Sequence, residues 1–243
     1  MMGLVKYIGR WMYPSGSERT VLRGPLQGTK FVACPAMRAR YALGVDAWNE
    51  SFFDDKINAD DVVFEVGANR GQLTLLFAQR VTESGKVVAF EPIRENVEAL
   101  RKNLSLNSLD NVRIVNAAAS SGEGVVNFKY EGARSRKIVN VGENNSCRKA
   151  STTTIDKIAR QHNAYPDIMK IDVEGGGKSV LEGAQRVLNK NPNIFIEVHN
   201  EEERVAVEQE VLGKGYTIKT PEGKTITKSV SKNVRHLWCE YRH

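Results

Sequence analysis

From about residue 60, short apolar runs alternate along the chain with segments whose apolar residues recur every three or four positions. The runs 62–64, 87–90, 112–115, 168–171 and 194–198 predict buried strands, and the segments between them predict amphipathic helices. Continuous apolar runs are typical of parallel strands that are covered on both faces. The pattern therefore predicts an α/β fold with a doubly wound, mostly parallel sheet, closed by an antiparallel C-terminal hairpin that includes the run 236–241.

Two parts of the chain depart from this alternation. Residues 1–59 predict an N-terminal segment of a helix and short strands that packs on the main domain, which spans 60–243. The passage 121–154 starts with an apolar run and continues with Gly, Asn, Ser and Arg, so it predicts a hairpin-like insertion or a loop. Within 155–215, helices are predicted at 155–161, around the apolar residues of 180–188, and around Val205, Val207, Val211 and Leu212.

The net charge of +6 is located in the first forty residues, which contain seven basic residues and one acidic residue. Leu4, Ile8, Trp11 and Met12 fall at helical spacing there. We favour a helix that packs on the domain or on a second subunit, and the alternative is peripheral contact between residues 1–40 and an anionic membrane. The basic loop residues Arg134, Arg136 and Lys137 are interpreted as solvated.

Cellular context follows from apolar length and cysteine spacing. No apolar run is long enough for a bilayer, and residues 1–13 are interrupted by charges and lack a secretory cleavage pattern, so we expect a cytoplasmic protein. Cys34, Cys147 and Cys239 are far apart in sequence and form no C-x-x-C pair. We therefore expect reduced thiols rather than a disulfide framework or a zinc site.

A carboxylate and a glycine-bearing turn follow the first buried strand, as Glu65-x-Gly67-x-x-x-Gly71. The glycines would let the backbone turn tightly and approach a ligand, and Glu65 offers a negative charge to an ammonium group. Dinucleotide folds instead hold a pyrophosphate with the spacing G-x-G-x-x-G. Glu91 ends the second strand, where a carboxylate can accept both ribose hydroxyls of NAD or of another nucleoside. Taken together, the two features favour S-adenosylmethionine (SAM), whose methionine end carries an ammonium group.

Polar residues also follow the later strands. The small-residue stretch 116–120 leaves room for a flat adenine ring. Asp172 and Glu174 follow the strand 168–171, and His199 and Asn200 follow the strand 194–198. Because ligands of open α/β sheets bind outside the carboxyl ends of the strands, we expect these groups to converge on one site.

Several segments of the chain together resemble the FkbM-type SAM-dependent methyltransferases, a family with the class I, Rossmann-like fold. The resemblance covers about residues 60–200 and rests on these segments: Phe64-Glu65-Val66-Gly67-Ala68-Asn69-Arg70-Gly71, Ala89-Phe90-Glu91-Pro92, Thr153-Thr154-Ile155-Asp156, Lys170-Ile171-Asp172-Val173-Glu174-Gly175 and Ile196-Glu197-Val198-His199. It implies methyl transfer to a hydroxyl oxygen, often on a sugar, a lipid-linked glycan or a secondary metabolite.

The resemblance also implies where the cofactor binds. The implied residues are Glu65, Gly67, Asn69, Gly71 and Asp172 around the methionine part, Glu91 at the ribose, and Asn116 and Ala117 on the adenine side. One departure concerns Gly177, because the family usually has an acidic residue two places beyond the glycine of Asp172-Val173-Glu174-Gly175. The other is the weak match before residue 60, which leaves acceptor selection open.

His199 is the candidate general base, since an imidazole titrates near neutral pH, with Asp172 and Glu174 as the other candidate catalytic residues. Both carboxylates could also bind the SAM amine or orient the acceptor hydroxyl. A neutral histidine held by hydrogen bonds is an equally weighted interpretation of His199. A hard divalent ion held by Asp172, Glu174 and Asn200, together with Glu197 or His199, is an alternative that we rank below the metal-free site.

Three functions are compatible with these features. The first is methylation of a small-molecule or glycan hydroxyl. The second is an RNA methyltransferase that uses the basic N-terminal segment, although the chain lacks interleaved aromatic residues for base stacking, so nucleic acid is not the favoured partner. The third is a non-catalytic SAM-binding or interaction protein. The sequence indicates nothing about oligomeric state.

Overall fold

An eight-stranded sheet lies at the centre of the protein, in a computed structural model that describes residues 15–34, 43, 48–82, 84–129, 147–227 and 229–241. The strands are β1 (Glu18–Thr20), β2 (Lys30–Val32), β3 (Val62–Val66), β4 (Lys86–Phe90), β5 (Val112–Val115), β6 (Ala118–Ala119), β7 (Gly124–Lys129), β8 (Cys147–Thr153), β9 (Ile168–Ile171), β10 (Asn193–Glu197), β11 (Tyr216–Lys219), β12 (Thr225–Ile226) and β13 (His236–Tyr241). The helices are α1 (Trp48–Asp54), α2 (Gln72–Arg80), α3 (Arg94–Leu106), α4 (Ile155–Gln161), α5 (Gly177–Glu182), α6 (Gln185–Leu188) and α7 (Glu201–Glu210), followed by a 3-10 turn at Leu212–Lys214.

The order of strands in the central sheet is β12-β11-β13-β10-β9-β3-β4-β5. The five strands from β10 to β5 are parallel, whereas β13 pairs antiparallel with both β10 and β11. The predicted α/β class with a mostly parallel sheet is confirmed. The C-terminal antiparallel pair is β11 with β13, and β13 is inserted between β11 and the parallel strands.

Helices cover both faces of this sheet, which explains the continuous apolar runs of its strands. Phe64, Val88 and Ile196 belong to the core on the face covered by α4, α5, α6 and α7. Their chain neighbours Val63 and Val87 belong to the core on the opposite face, which includes apolar residues of α1, α2 and α3. Successive strand residues therefore point to opposite, equally buried faces.

The strand order reverses between β3 and β9. From β3 the chain proceeds outward to β4 and β5, and it then returns to the other side of β3 as β9 and β10. The loops after β3 and β9 consequently leave the sheet in opposite directions, and a crevice opens between them at the carboxyl ends of the strands.

The described parts of the N-terminal segment pack against the core. β1 and β2 form an antiparallel ribbon, and Asn103 of α3 accepts the backbone N–H of Val32 at 2.7 Å. Phe31 in β2 and Phe53 in α1 are fully buried. The predicted helix around Leu4 to Met12 and the basic residues 134–137 lie outside the described residues. Within the described part of the chain, no helix is long and apolar enough to cross a membrane.

In the region 121–154, β7 and β8 pair antiparallel, and β6 joins them through a parallel pairing with β8. The predicted hairpin-like insertion therefore takes the form of a small sheet beside the central one. Ile93, Phe128 and Ala150 form its own apolar cluster, with Val126 packed against it. This cluster brings β7 against the loop that follows β4.

Candidate active site

A cavity of about 460 Å³ lies at the carboxyl ends of β3, β4, β9 and β10, within the range of about 300–1,000 Å³ that is usual for ligand pockets. Its lining residues are Asn49, Glu65, Val66, Gly67, Ala68, Asn69, Gln72, Leu73, Phe90, Glu91, Pro92, Ile93, Ala117, Ala118, Ala119, Val126, Phe128, Lys170, Asp172, Val173, Glu174, Gly176, Glu197 and His199. Most of the predicted site residues are in this set, and the two exceptions are Gly71 and Asn116.

The turn after β3 requires glycine at two positions, and for reasons other than ligand approach. Gly67 has φ +89°, and a Cβ there would lie 2.1 Å from the carbonyl oxygen of Asp172. Gly71 has φ +90°, and a Cβ there would lie 2.3 Å from Cδ1 of Leu100. Both glycines are therefore needed for positive φ and for close packing within the protein. Gly67 allows the loops after β3 and β9 to touch.

The Glu91 carboxylate is fixed at the tip of β4 by donors from three positions. Oε2 accepts the backbone N–H of Asn69 at 2.8 Å, which links the two strand tips. Oε1 accepts the backbone N–H of Ile93 at 2.9 Å and Nδ2 of Asn96 at 3.1 Å. Asn69 adopts φ +53°, a left-handed conformation that asparagine tolerates better than most residues. The geometry holds a carboxylate at the cavity wall before any ligand binds.

One end of the cavity has apolar walls. Ala117 and its two neighbouring alanines form one wall, while Ile93, Val126 and Phe128 form another. Asn116 instead donates from Nδ2 to the carbonyl oxygen of Glu91 at 2.9 Å, so it supports the loop rather than lining the cavity. Because Val126 and Phe128 come from the insertion strand β7, sequence patterns alone did not identify them as site residues.

A buried cluster of charges lies beneath the cavity. Glu65 and Lys170 are directly paired in the register of β3 and β9, and both are almost fully buried. Burial raises the pKa of Glu65 from 4.5 to about 7, although Lys170 and a 2.5 Å hydrogen bond from Thr74 act in the opposite direction. Lys170 donates to Asp172 Oδ2 at 3.2 Å, and it lies 3.4 Å from the carbonyl oxygen of Gly67. Glu65 therefore faces a protein ammonium group, which sequence reasoning had not anticipated.

The charges of neighbouring groups shift the pKa values of the pair Lys170 and Asp172 in opposite directions. Burial alone would lower the pKa of Lys170, but Asp172 and Glu65 outweigh it and raise that pKa. Burial alone would raise the pKa of Asp172, but Lys170 and His199 hold it well below its usual range. Both groups are thus charged at neutral pH, and Lys170 partners Asp172 as the sequence suggested.

His199 lies at the mouth of the cavity, directly after β10, with its side chain 8% exposed. Nδ1 is 3.3 Å from Glu174 Oε2 and 3.2 Å from Nη2 of Arg235. Nε2 is buried and has no hydrogen-bond partner among the described residues, since Asp172 Oδ1 at 3.6 Å lies beyond hydrogen-bonding distance. The charge of Asp172, assisted by Glu174 and Glu197, raises the pKa of His199 against the opposing effect of burial.

Asp172, Glu197 and His199 form the one described group of side chains whose potential metal ligands come within 4.8 Å of one another. Two of its members already contact cationic side chains. Lys170 contacts Asp172 at 3.2 Å, and Arg235 contacts Glu197 at 3.0 Å. These ion pairs supply the positive charge that a divalent ion would bring, and preference for a metal-free site stays a prediction.

Helix α1 adds a wall that precedes the part of the chain with recognisable motifs. Asn49 and Gln72 line the cavity, and Gln72 donates to the buried carboxylate of Glu50. The second oxygen of that carboxylate and Oδ1 of Asn49 are buried without a hydrogen-bond partner among the described residues. No local motif marks these residues, because only the packing of α1 against α2 brings them to the cavity.

The sequence model of the methyltransferase FkbM domain matches residues 65–218, which is more than half of the chain. The chain belongs to the FkbM methyltransferase family. Among curated proteins, no sequence matches it. The match contains all the predicted cofactor-binding residues, and it ends before Arg235 and begins after α1. Those two parts of the site therefore lie outside the family domain.

Solved structures of methyltransferases share the fold. A protein described as an rRNA methylase from Clostridium thermocellum is 11% identical, over 79% of this chain and 92% of its own, with a TM-score of 0.51. A SAM-dependent O-methyltransferase from Thermotoga maritima is 14% identical, over 79% of this chain and 64% of its own, with a TM-score of 0.48. At these identities the likeness concerns the fold alone.

Membership of the family makes this protein a SAM-dependent methyltransferase. The cavity has the features that this cofactor requires. One end is apolar and narrow enough in composition for a flat base, the Glu91 carboxylate is fixed between the two ends, and the other end is lined by carboxylates that suit a cation. The residues present therefore fit SAM.

Proposed function

We propose that the protein methylates a hydroxyl oxygen of a glycan, a lipid-linked or a secondary-metabolite acceptor, with His199 as the proton acceptor. The supporting observation is the buried and unpartnered Nε2 of His199 at the wall of the SAM cavity. An unpaired buried ring nitrogen is costly unless a ligand supplies its hydrogen bond, and an acceptor hydroxyl would do so.

For the cofactor, we propose three contacts along the cavity. The methionine part would lie on the turn that contains Gly67 and Asn69, near Asp172, and its ammonium group would face Asp172 rather than Glu65. This follows because Asp172 stays ionised, whereas burial brings the pKa of Glu65 to about 7. The ribose would bind Glu91, and the adenine would lie between the alanine wall and Phe128.

The surroundings of His199 suit proton uptake. With its proton on Nδ1, the imidazole donates to Glu174 at 3.3 Å and leaves the lone pair of Nε2 at the cavity. Asp172 and Glu174 then stabilise the imidazolium that forms when Nε2 accepts a proton. When bound, SAM supplies a methyl group on a sulfonium, which is already a good leaving group. The protein mainly has to place the hydroxyl oxygen and remove its proton.

The acceptor would approach from the side of Glu174 and Arg235, whose side chains are 40% and 60% exposed. Polar and charged groups at the entrance suit a hydroxyl-rich acceptor better than an apolar one.

The test combines cofactor binding with an acceptor screen. Calorimetry with S-adenosylhomocysteine should show saturable binding, and NAD should show none. Wild-type protein, His199→Gln and the control His162→Gln would then be incubated with radiolabelled SAM and a panel of glycans, lipid-linked sugars and hydroxylated metabolites. His199→Gln should lose about 10²–10⁴-fold in rate while it still binds S-adenosylhomocysteine, and His162→Gln should match the wild type. Full activity of His199→Gln would rule out the proton-acceptor role.

Two other results would redirect the proposal. Methylation of RNA, with binding that weakens steeply as salt rises, would favour an RNA substrate contacted by the basic N-terminal segment. Binding of S-adenosylhomocysteine without turnover on any acceptor or on RNA would favour a non-catalytic role.

A further inference from the structure

The carboxylate of Glu203 joins the loops that follow β9 and β10. Glu203 is the third residue of α7 and is 1% exposed. Its Oε1 accepts the backbone N–H of Gly177 at 2.9 Å, and its Oε2 accepts the backbone N–H of His199 at 2.6 Å. One buried side chain thus holds the backbone of the candidate base against the first residue of α5.

This arrangement differs from the usual cap of a helix. Asn200 caps α7 and accepts the backbone N–H of Glu203 at 2.9 Å, so the spacing Asn200-x-x-Glu203 matches a capping box. In a capping box, the glutamate returns to the N–H of the capping residue itself. Glu203 contacts the N–H of His199 and that of Gly177 instead. Gly176, which precedes α5, offers that helix no side-chain cap, and the Glu203 carboxylate takes this place.

The same contact explains the glycine at position 177. Gly177 does not have positive φ, so its backbone conformation is open to other residues. A Cβ at this position would lie 3.3 Å from Cγ, Cδ and Oε1 of Glu203. Glycine is therefore required because Glu203 occupies the space, and a larger residue at 177 would displace the carboxylate.

We infer that Glu203 is a positioning residue, which supplies from α7 the carboxylate that a side chain at position 177 would otherwise place there, and which directs His199 into the cavity. The inference rests on the proposed role of His199. Removal of Glu203 leaves two buried backbone N–H groups without their acceptor, and it frees the backbone that carries the imidazole.

The test uses position 177 to return the carboxylate from the other side. The variants are Glu203→Ala, Glu203→Gln, Gly177→Glu and the double variant Gly177→Glu/Glu203→Ala, with exposed Glu202→Gln as the control. NMR would follow the amide proton of His199 and the titration of its imidazole, which faces Asp172, Glu174, Glu197, Glu203 and Arg235. Calorimetry with S-adenosylhomocysteine would check that the cofactor site persists.

Glu203→Ala should move the His199 amide proton upfield and lower the imidazole pKa, because a short bond to a carboxylate and a nearby negative charge are both lost. S-adenosylhomocysteine should bind within about threefold of the wild type. The double variant should return both NMR signals toward the wild-type values, whereas Gly177→Glu alone should perturb them. Such non-additivity would identify one shared carboxylate site.

The inference is overturned if Glu203→Ala leaves both signals of His199 unchanged, or if the double variant is no closer to the wild type than Glu203→Ala. Where Glu203→Ala does not fold, Glu203→Gln decides: an unchanged imidazole pKa contradicts the inference and a lowered one supports it. None of these measurements needs methyl transfer. Activity that survives His199→Gln would therefore refute the proton-acceptor role without touching the contact from Glu203.

Discussion

Glu65 makes the stability of this protein depend on pH in an unusual direction. Its carboxyl group is 1% exposed at the centre of the sheet, and burial raises its pKa from 4.5 to about 7 in spite of Lys170. The folded protein therefore holds a proton that the unfolded chain releases between about pH 4.5 and 7. As pH rises through this range, the contribution of Glu65 to stability is lost. The isosteric variant Glu65→Gln keeps the shape and cannot ionise.

The size of the effect follows from the two pKa values. They differ by about 2.5, and each pKa unit corresponds to about 1.4 kcal/mol, so ionisation of Glu65 costs the folded state about 3 kcal/mol. The free energy of unfolding of Glu65→Gln, relative to that of the wild type, should increase by about this amount between pH 4.5 and pH 8. Above pH 8 the difference should be constant, because Glu65 is then ionised in both states.

Urea unfolding of wild type and Glu65→Gln across this pH range would measure the difference directly, since titration of other groups largely cancels between the two proteins. Glu98→Gln, on the exposed surface of α3, is the control and should show no comparable change. A difference for Glu65→Gln that does not vary with pH would refute the reasoning. It would mean that the attraction of Lys170 outweighs burial and keeps Glu65 ionised in the folded protein.

Three further predictions concern the site. Gly67→Ala should lower the free energy of unfolding by at least about 2 kcal/mol more than Gly28→Ala, because both have positive φ but only Gly67 meets a neighbour, and equal losses in urea unfolding would contradict this. Glu91→Ala should weaken S-adenosylhomocysteine binding at least about tenfold in calorimetry, and an unchanged affinity would exclude Glu91 from the cofactor site. The rate of methyl transfer should rise with pH through a pKa above 6.5, because carboxylates raise the pKa of His199, and a flat pH–rate profile would count against a histidine base.

Local patterns were sufficient for elements whose signals are local. The helix 155–161 and the strands 112–115 and 168–171 coincide with α4, β5 and β9. Thr154 caps α4 by accepting the N–H of Lys157 at 3.0 Å, which is a signal within four residues. Val205 was assigned to a buried helix face and is 40% exposed, whereas Val207 is fully buried. Two positions apart on a helix face different directions, so both could not belong to one stripe.

Tertiary contacts decided what the patterns missed. The single helix suggested by the apolar residues of 180–188 is divided into α5 and α6 at Gly183, where a Cβ would lie 2.0 Å from the carbonyl oxygen of Ser120. The carboxylate of Asp156 accepts the backbone N–H groups of Arg186 and Val187 and starts the second helix. Both contacts join residues at least thirty positions apart, which periodicity cannot detect.

Lys170 shows which signal could have revealed more of the site. It is a cation within the otherwise apolar strand β9, and a buried charge requires an opposite charge beside it. The carboxylate of the neighbouring strand β3 is Glu65, so the pairing could have been proposed from the predicted strand order. Glu203 offered only the spacing of a capping box, which predicts a contact within its own helix, and its contact with Gly177 depends on the packing of α7 against α5.

The charges around His199 suit both sides of the proposed reaction. Four carboxylates contribute to this region (Asp172, Glu174, Glu197 and Glu203), and the cationic side chains in contact with them are Lys170 and Arg235. The surplus of negative charge attracts a sulfonium cofactor before the reaction. Methyl transfer removes that positive charge, and a proton taken up by Nε2 of His199 places one beside the same carboxylates. Because the net charge of the region is then the same before and after, the fixed carboxylates stabilise both states without rearrangement.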